Sequence, residues 1–377
     1  EGTSLGGDDG IAVAYALALL DSDNLAHPRL EVVITVDEEV GMDGARGIDL
    51  SMLQGRRLLN LDSEEEGIFL TSCAGGARLN LTLPYTLTEK QGTAYSVRVE
   101  GLQGGHSGVE IQKERGNANV LLGRALNELL KEVSFCIKDI GGGLADNAIP
   151  REASATLILE EKDVLKLEEI LVRLGQEIKE ELAVKDPGVS IAVSKTGQGM
   201  FDCIKEGATR RIVSMLTALP GGVQAMSASV PGLVETSLNM GIISLLEQKK
   251  ELLCTFSVRS SLDSAKYALI SKVGAVAALA GASMQVSGDY PGWAYRTDSL
   301  LREKIVRIYE RMYGKGPEIQ AIHAGLECGL LASKIEDLDC ISFGPDMSDI
   351  HTTEETLSIS STKRVWEYLV EFLAEKE

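Results

Sequence analysis

An apolar run that ends in three carboxylates constrains this chain more than any other stretch. Residues 30–36 form a short segment that is rich in β-branched side chains and is bounded by His27-Pro28 and a glycine-containing turn. This pattern predicts a buried strand. Asp37, Glu38 and Glu39 follow at its C-terminal end, the edge where open parallel α/β sheets bind ligands. Glu38 and Glu39 are adjacent, so their side chains point in different directions in an extended chain. One of them can hold a metal while the other faces a substrate or water.

The flanking sequence alternates between helices and short buried strands. A Gly-rich turn precedes a predicted helix over residues 11–20, and either Asp8 or Asp9 is placed to cap that helix. Strands are predicted at 57–61, which ends at Asp62, and at 67–71. This alternation is typical of a parallel sheet, so three acidic clusters should lie at junctions that share one edge.

A different pattern begins near residue 77. Residues 77–83 and 95–100 alternate strictly between apolar and polar, which predicts half-exposed strands of an antiparallel sheet, and helical stretches are interleaved with them. The α/β pattern resumes after the glycines and proline at 287–293. Because 377 residues exceed one ordinary core, we expect an α/β domain with a mostly parallel sheet, residues 1–76 and 290–377, interrupted by an α+β domain at 77–289.

Charge and composition exclude some functions. The chain carries 37 Lys and Arg against 56 Asp and Glu, a net charge of −19 that repels polyanions, so nucleic acid is not an expected partner. No apolar run reaches the length of a membrane span. The six cysteines have no paired spacing and no CxxC, which indicates reduced thiols and a cytoplasmic protein.

Four residues at strand or helix ends are the candidates for a metal centre: Asp8, Glu39, Asp62 and His351. Each alone has an ordinary explanation, since acidic turns are usually solvated and loop histidines are usually structural. Together they supply the oxygen and imidazole donors that suit zinc or manganese. Two metals ~4 Å apart, bridged by one carboxylate, would form a hydrolytic centre.

Several motifs, taken together, carry a specific resemblance. They are GGDDG at 6–10, DEEVGMDG at 37–44, NLDSEEEG at 60–67, GGHSG at 104–108, NAIPRE at 147–152, HAGLECG at 323–329 and the late His351. Across almost the whole chain they resemble the aminoacyl-histidine dipeptidases. These are carnosinase-like Xaa-His dipeptidases of the di-zinc exopeptidase superfamily that also contains carboxypeptidase G2.

The resemblance implies roles for the candidate metal ligands and the general base. Asp8 would bridge both metals, Glu39 and His351 would complete one zinc site, and Asp62 would bind the second zinc. Glu38 would be the general base, taking a proton from the attacking water and returning it to the leaving amine. Manganese or cobalt are alternatives to zinc.

The resemblance also implies roles for the insert. His106 would come from a lid and donate to the oxyanion, although a turn histidine is the ordinary explanation of that residue alone. Arg259 would bind the C-terminal carboxylate of the substrate, a task suited to a bidentate guanidinium. Its alternative is a surface arginine at a strand edge. Asn147 and His323 are weaker candidates for the substrate pocket.

One family motif has no counterpart here. The family carries a His-x-Asp motif on a strand before the position of Gly6, which supplies the remaining ligand of the second zinc. The sequence opens on a Gly-rich turn, so we expect that the true N-terminus precedes Glu1. The alternative is a protein that lacks these strands, in which the second metal would be under-ligated and a sheet edge exposed.

The sequence therefore predicts a metal-dependent dipeptidase that cleaves short peptides, and the resemblance implies Xaa-His substrates that include β-alanyl-histidine. The nearest rival is an amidohydrolase of N-acyl amino acids with the same metal centre. A third alternative is an inactive fragment or binding protein of the same fold, against which the intact Glu38-Glu39 pair argues. The alternating strands of the insert suggest a homodimer through that domain.

Overall fold

Two units make up the part of the chain that the computed structural model describes, residues 2–39 and 41–376. The first unit comprises the residues up to Ala74 and those from Pro291 onward, and the second runs from Gly75 to Tyr290. The expected insert was residues 77–289. Residues 1, 40 and 377, which belong to the expected outer domain, lie outside the described residues.

The elements follow one another in three blocks along the chain. The first block contains α1 Gly7–Leu20, α2 Asp43–Gly47, β1 Arg57–Asn60 and β2 Ile68–Cys73. The second contains β3 Gly75–Pro84, β4 Leu87–Glu100, β5 Gly105–His106, α3 Ala118–Leu130, β6 Phe135–Gly142, β7 Ala148–Ile149, β8 Ala153–Leu159, α4 Val164–Glu181, β9 Ser190–Ile204, α5 Glu206–Ala218, β10 Gly222–Met226, β11 Val234–Leu246, β12 Glu251–Ser260, α6 Asp263–Ala280 and β13 Ser283–Tyr290. The third contains α7 Leu300–Tyr313, β14 Glu318–Ile322, α8 Glu327–Lys334, β15 Asp339–Ser342, β16 Met347–Ser348, β17 Thr356–Leu357 and α9 Ile359–Ala374.

The first unit contains a mixed sheet in the order β1-β15-β2-β14. β1 runs parallel to β15 and β14 parallel to β2, whereas β15 and β2 meet antiparallel through Ser342 and Leu70 alone. An aromatic cluster of Phe69, Tyr309, Phe343 and Tyr368 joins the sheet to α7 and α9. The predicted α/β domain with a mostly parallel sheet is confirmed.

The strand predicted at residues 30–36 is wrong. The structure assigns no strand there, and the alternate side chains Val32, Ile34 and Val36 are 41%, 58% and 67% exposed. β-branched residues favour extended chain, but a strand also needs a neighbour that accepts its backbone hydrogen bonds. The described residues supply no such neighbour for this segment. The carboxylates that follow are therefore carried by a loop.

The second unit is built on a sheet of nine strands. Eight of them follow the order β13-β3-β12-β11-β6-β8-β4-β9, and β10 pairs with β11. Leu79, Leu81 and Leu83 are buried while Arg78 and Thr82 are not, which confirms the alternation predicted for 77–83. The antiparallel pairing of β3 with β12 and β13 confirms the predicted α+β character.

The helices of the second unit pack against this sheet over one hydrophobic core. Leu122, Leu126 and Leu129 of α3 are fully buried at helical spacing, as are Leu167 and Leu171 of α4. Asn117 caps α3 by accepting hydrogen bonds from the backbone nitrogens of the two residues that follow Ala118. Among the helices in the described ranges, none is both long and apolar enough to cross a bilayer.

Candidate functional site

Three of the predicted metal ligands meet in the first unit. The Nε2 atom of His351 lies 2.9 Å from Oδ2 of Asp8 and 2.9 Å from Oε1 of Glu39. These residues come from the start of α1, the loop before α2 and the loop after β16, so the chain brings together positions more than 300 residues apart. One ligand atom from each lies within 4.8 Å of the others, which is close enough for one cation.

Glu355 holds the backbone that carries Asp8. Its carboxylate accepts hydrogen bonds from the backbone nitrogens of Gly6 at 3.0 Å, Gly7 at 2.7 Å and Asp8 at 3.2 Å. These hydrogen bonds keep the pKa of Glu355 below its ordinary value because they favour the ionised carboxylate. Glu355 was not predicted from the sequence. The only signal was an acidic residue four positions after His351.

The start of α1 follows from the same turn. Asp8 and Asp9 have non-helical backbone angles, and Oδ1 of Asp9 accepts a hydrogen bond from the backbone nitrogen of Ala12 at 3.2 Å. Asp9 therefore caps the helix, one of the two predicted alternatives. Asp8 is left free of the capping role, and its carboxylate contacts His351.

The loop that carries Glu38 and Glu39 closes on itself. The backbone nitrogens of Gly41 and Met42 donate to the carbonyl of Glu38, and that of Gly44 donates to Val36 at 2.9 Å. A Cβ on Gly44 would lie 2.3 Å from the carbonyl oxygen of Val36, so only glycine fits there. The loop that carries Glu39 therefore requires a glycine at position 44 for steric reasons.

Half-buried carboxyl groups surround Asp8. Asp62 is hydrogen-bonded to Asp8, and burial together with Asp9, Asp8 and Glu38 raises the pKa of Asp62 to about 9. Burial first, and then Glu39, Glu327 and Asp8, raises the pKa of Glu38 to about 7. Such crowding of acidic groups costs free energy when they ionise, and a bound cation would relieve it. The donor set thus fits a metal centre, with Asp8 between Asp62 on one side and Glu39 with His351 on the other.

Glu327 is a further acid near this cluster, and sequence analysis did not single it out. Thr35 donates from its hydroxyl to the Glu327 carboxylate, with both oxygens 2.8 Å away. Burial raises the pKa of Glu327, and its charge in turn raises those of Glu38 and Asp9. Glu327 opens α8 within the HAGLECG motif, which was its one signal.

His106 and Asn147 lie on neighbouring segments of the second unit. His106 pairs with Ala148 in the short β5-β7 ladder, and the backbone nitrogen of Ser107 donates to the carbonyl of Asn147 at 2.8 Å. The side chain of Asn147 is exposed. The structure thus places these two predicted residues together.

The His106 ring is held in one orientation. The backbone nitrogens of Gly108 and Val109 both lie 3.2 Å from Nδ1. Because both are donors, Nδ1 accepts and the neutral ring carries its proton on Nε2. Burial, and then the charge of Arg259, lowers the pKa of His106 and favours this neutral form.

Arg259 is buried, with 9% of its surface exposed, near the end of β12. Its Nη1 donates to the hydroxyl of Tyr290 at 3.3 Å, whereas its Nε has no hydrogen-bond partner among the described residues. Buried guanidinium groups are normally paired, so the free donor suits an anionic ligand. The alternative of a surface arginine is wrong, because the side chain is not exposed.

His323 lies in the first unit, one residue after β14, and is 5% exposed. The structure therefore divides the predicted residues into two sets. The first unit carries Asp8, Glu38, Glu39, Asp62, His323 and His351, and the second carries His106, Asn147 and Arg259.

Comparisons with known proteins agree with this division. The peptidase dimerisation domain family matches residues 97–186, within the second unit. The cytosol non-specific dipeptidase of Escherichia coli (strain K12) is 39% identical over 379 aligned residues, which cover 99% of this chain and 77% of the relative. The crystal structure of the aminoacylhistidine dipeptidase from Vibrio alginolyticus superposes with a TM-score of 0.95 at 36% identity. That match covers all of this chain and 77% of the other.

Proposed function

Since this chain belongs to the M20 family of metallopeptidases and is a dipeptidase within it, we propose that it hydrolyses Xaa-His dipeptides, including β-alanyl-histidine. The observation that carries the chemistry is the contact of His351 with both Asp8 and Glu39 beside the half-buried Asp62. Support for a histidine-containing substrate comes from the similarity to the Vibrio alginolyticus aminoacylhistidine dipeptidase, whereas the Escherichia coli relative is a non-specific dipeptidase.

Two zinc ions are the cofactors that we propose. Asp8 would bind both, Glu39 and His351 would bind one, and Asp62 would bind the other. Carboxylate oxygens with one imidazole suit zinc, and manganese or cobalt would accept the same donors. When bound, the metal supplies Lewis-acid polarisation of the peptide carbonyl and lowers the pKa of water.

Glu38 is the general base in this proposal. It is half-buried, adjacent to Glu39, and its pKa is raised to about 7 by burial and by neighbouring carboxylates. A base of this strength accepts a proton from water at neutral pH and can return it to the leaving amine nitrogen. Burial also limits competition from bulk water for the carboxylate.

His106 and Arg259 contribute donors from the second unit. The Nε2–H of a neutral His106 would donate a hydrogen bond to the oxyanion of the tetrahedral intermediate and stabilise it. Arg259 would bind the C-terminal carboxylate of the substrate through its guanidinium, whose Nε has no hydrogen-bond partner among the described residues. Asn147 and His323 would line the substrate pocket.

The first experiment compares β-alanyl-histidine, its C-terminal amide and N-acetyl-histidine as substrates of the zinc-loaded protein. We expect hydrolysis of the dipeptide, and a kcat/KM for the amide lower by about 10- to 100-fold, because the amide lacks the charge that Arg259 recognises. Arg259→Met should lose the same factor on the dipeptide and little on the amide. Arg98→Met, at an exposed arginine paired with Glu100, is the control.

The outcomes separate the alternatives. Preferential hydrolysis of N-acetyl-histidine would favour an N-acyl amino acid amidohydrolase. Zinc uptake without hydrolysis of any of the three would favour an inactive binding protein. An equal loss on dipeptide and amide in Arg259→Met would refute carboxylate recognition by Arg259, because the effect would then be structural.

We also propose a homodimer formed through the second unit. Residues 97–186 match the peptidase dimerisation domain family, and β9 and β13 lie at the two edges of the nine-stranded sheet. An edge strand has backbone donors and acceptors that a second copy can pair with. Light scattering should give twice the chain mass of 40.4 kDa, and a mass of one chain at micromolar concentration would contradict the dimer.

The location that we propose is the cytoplasm. All six cysteines are unpaired and buried, and burial raises the pKa of Cys73, for example, to about 11. Thiols of this kind persist in a reducing compartment. Recovery of the native protein in a periplasmic or secreted fraction would contradict this assignment.

A further inference from the structure

A buried amide of the second unit contacts the segment that carries Asn147. Asn239 lies in β11 and is 2% exposed. Its Nδ2 donates to the carbonyl of Asp146 at 2.9 Å and to that of Ala148 at 2.8 Å. Its Oδ1 accepts from Nδ2 of Asn117 at 3.0 Å, and Asn117 is the cap of α3. Both amide protons are used, so the orientation of the Asn239 side chain is determined.

The segment that Asn239 holds also carries His106. Ala148 pairs with His106 in register, and the carbonyl of Asn147 accepts the backbone hydrogen bond of Ser107. Residues 146–148 therefore make hydrogen bonds to Asn239 as well as to the His106 segment. A change at Asn239 would be transmitted to His106 through two backbone carbonyls.

The backbone of β11 packs closely against this segment at Gly241. A Cβ on Gly241 would lie 2.5 Å from Cα of Asp146 and 2.7 Å from the carbonyl oxygen of Ala145. The pairing of β11 with β12 also shifts register between Met240 and Ile242, which is the position of this glycine. The close approach requires glycine at 241 and leaves Asn239 next to the carbonyls that it binds.

We propose that Asn239 is a positioning residue for His106. It sets the β5-β7 ladder, and thereby the direction of the His106 Nε2 proton, without contacting the substrate itself. This role rests on the function proposed above for His106. The physical requirement is that donors to an oxyanion be placed to within a fraction of an ångström before the reaction.

The test replaces Asn239 by Leu, which has the same branching at Cγ but no hydrogen-bonding group. We expect kcat to fall about 10- to 100-fold with KM and zinc content nearly unchanged, because ground-state binding does not depend on the oxyanion donor. Asn239→Ser, which keeps one donor, should fall in between and covers the case in which the leucine variant does not fold.

The matched control is Asn119→Leu. Asn119 is also fully buried, but its Nδ2 donates to the carbonyls of Gly142 and Met240 rather than to residues 146–148. Its loss should lower Tm to a similar extent while kcat stays within about twofold. If both variants lose kcat in proportion to Tm, the role of Asn239 is structural and the proposal is overturned.

A second readout follows the ring of His106 directly. The chain has four histidines, and the His106 signal in a long-range ¹H–¹⁵N spectrum is assigned by its absence in His106→Ala. We expect the wild-type signal to show the Nε2-H tautomer and the Asn239→Leu signal to show exchange between tautomers. An unchanged signal would overturn the proposal.

The two readouts separate this inference from the function that it rests on. If His106→Ala keeps full turnover, the oxyanion role of His106 fails, and the spectrum still decides whether Asn239 positions the ring. If His106→Ala is inactive while Asn239→Leu is fully active, the proposed function stands and the positioning role is refuted.

Discussion

Glu38→Gln should reduce kcat on β-alanyl-histidine by about 10²- to 10⁴-fold while the protein keeps its fold and its zinc. Glutamine preserves the shape of the side chain but cannot accept the proton from water. The large effect is expected because burial and the carboxylates of Glu39 and Glu327 raise the pKa of Glu38 to about 7, a value suited to proton transfer at neutral pH. The measurement is steady-state turnover together with zinc per chain.

Glu65→Gln is the control for this substitution. Glu65 is exposed, so the same chemical change there should leave turnover within twofold. Turnover of Glu38→Gln within tenfold of the wild type would exclude Glu38 as the base. Loss of zinc from this variant would instead make Glu38 a metal ligand, contrary to the role assigned to it.

Asp8→Asn should remove both metals and abolish turnover. The carboxylate of Asp8 contacts His351 on one side and Asp62 on the other, so it is the one proposed ligand that belongs to both sites. Glu39→Gln and Asp62→Asn should each remove one metal. Zinc per chain after dialysis measures these differences. The control is Asp37→Asn, because Asp37 is exposed and asparagine tolerates the φ of 58° at this position.

Retention of as much zinc in Asp8→Asn as in Glu39→Gln would contradict a bridging role.

Unfolding is not the expected cause of zinc loss in these variants. The pKa of Asp62 is about 9 in the folded protein, above its ordinary value, so the folded state holds a proton that the unfolded chain releases. Ionisation of Asp62 therefore lowers stability as pH rises above about 4. Asp62→Asn removes that cost and should raise the Tm of the metal-free protein at pH 8.

The sequence predicted the helix at residues 11–20 and the strands at 57–61, 67–71 and 77–83 because their patterns are local. The alternation at residues 77–83 and the cap at Asp9 are each visible within a few positions, and both are found in the structure. The motifs also identified residues that the fold brings together, since Asp8, Glu39 and His351 do meet. Their catalytic roles remain predictions.

The failures have physical causes. Residues 30–36 have a strand composition, but a strand exists only where a second strand accepts its hydrogen bonds, and the chain pattern does not reveal partners. Glu355 was missed because its hydrogen bonds go to Gly6, Gly7 and Asp8, about 350 positions away. Glu327 was missed because its charge matters only beside Glu38 and Asp9.

Chemical identity and local periodicity are properties of the sequence, and from them came the two-part organisation, the α/β and α+β character and the residues able to bind a cation. Distances and burial are properties of the folded chain. They placed His351 between Asp8 and Glu39, made Asp9 the cap of α1 so that Asp8 contacts His351 instead, and held the Asn147 and His106 segments on Asn239. Hydrogen bonds between residues far apart in the chain depend on the packing of whole elements, which no local pattern contains.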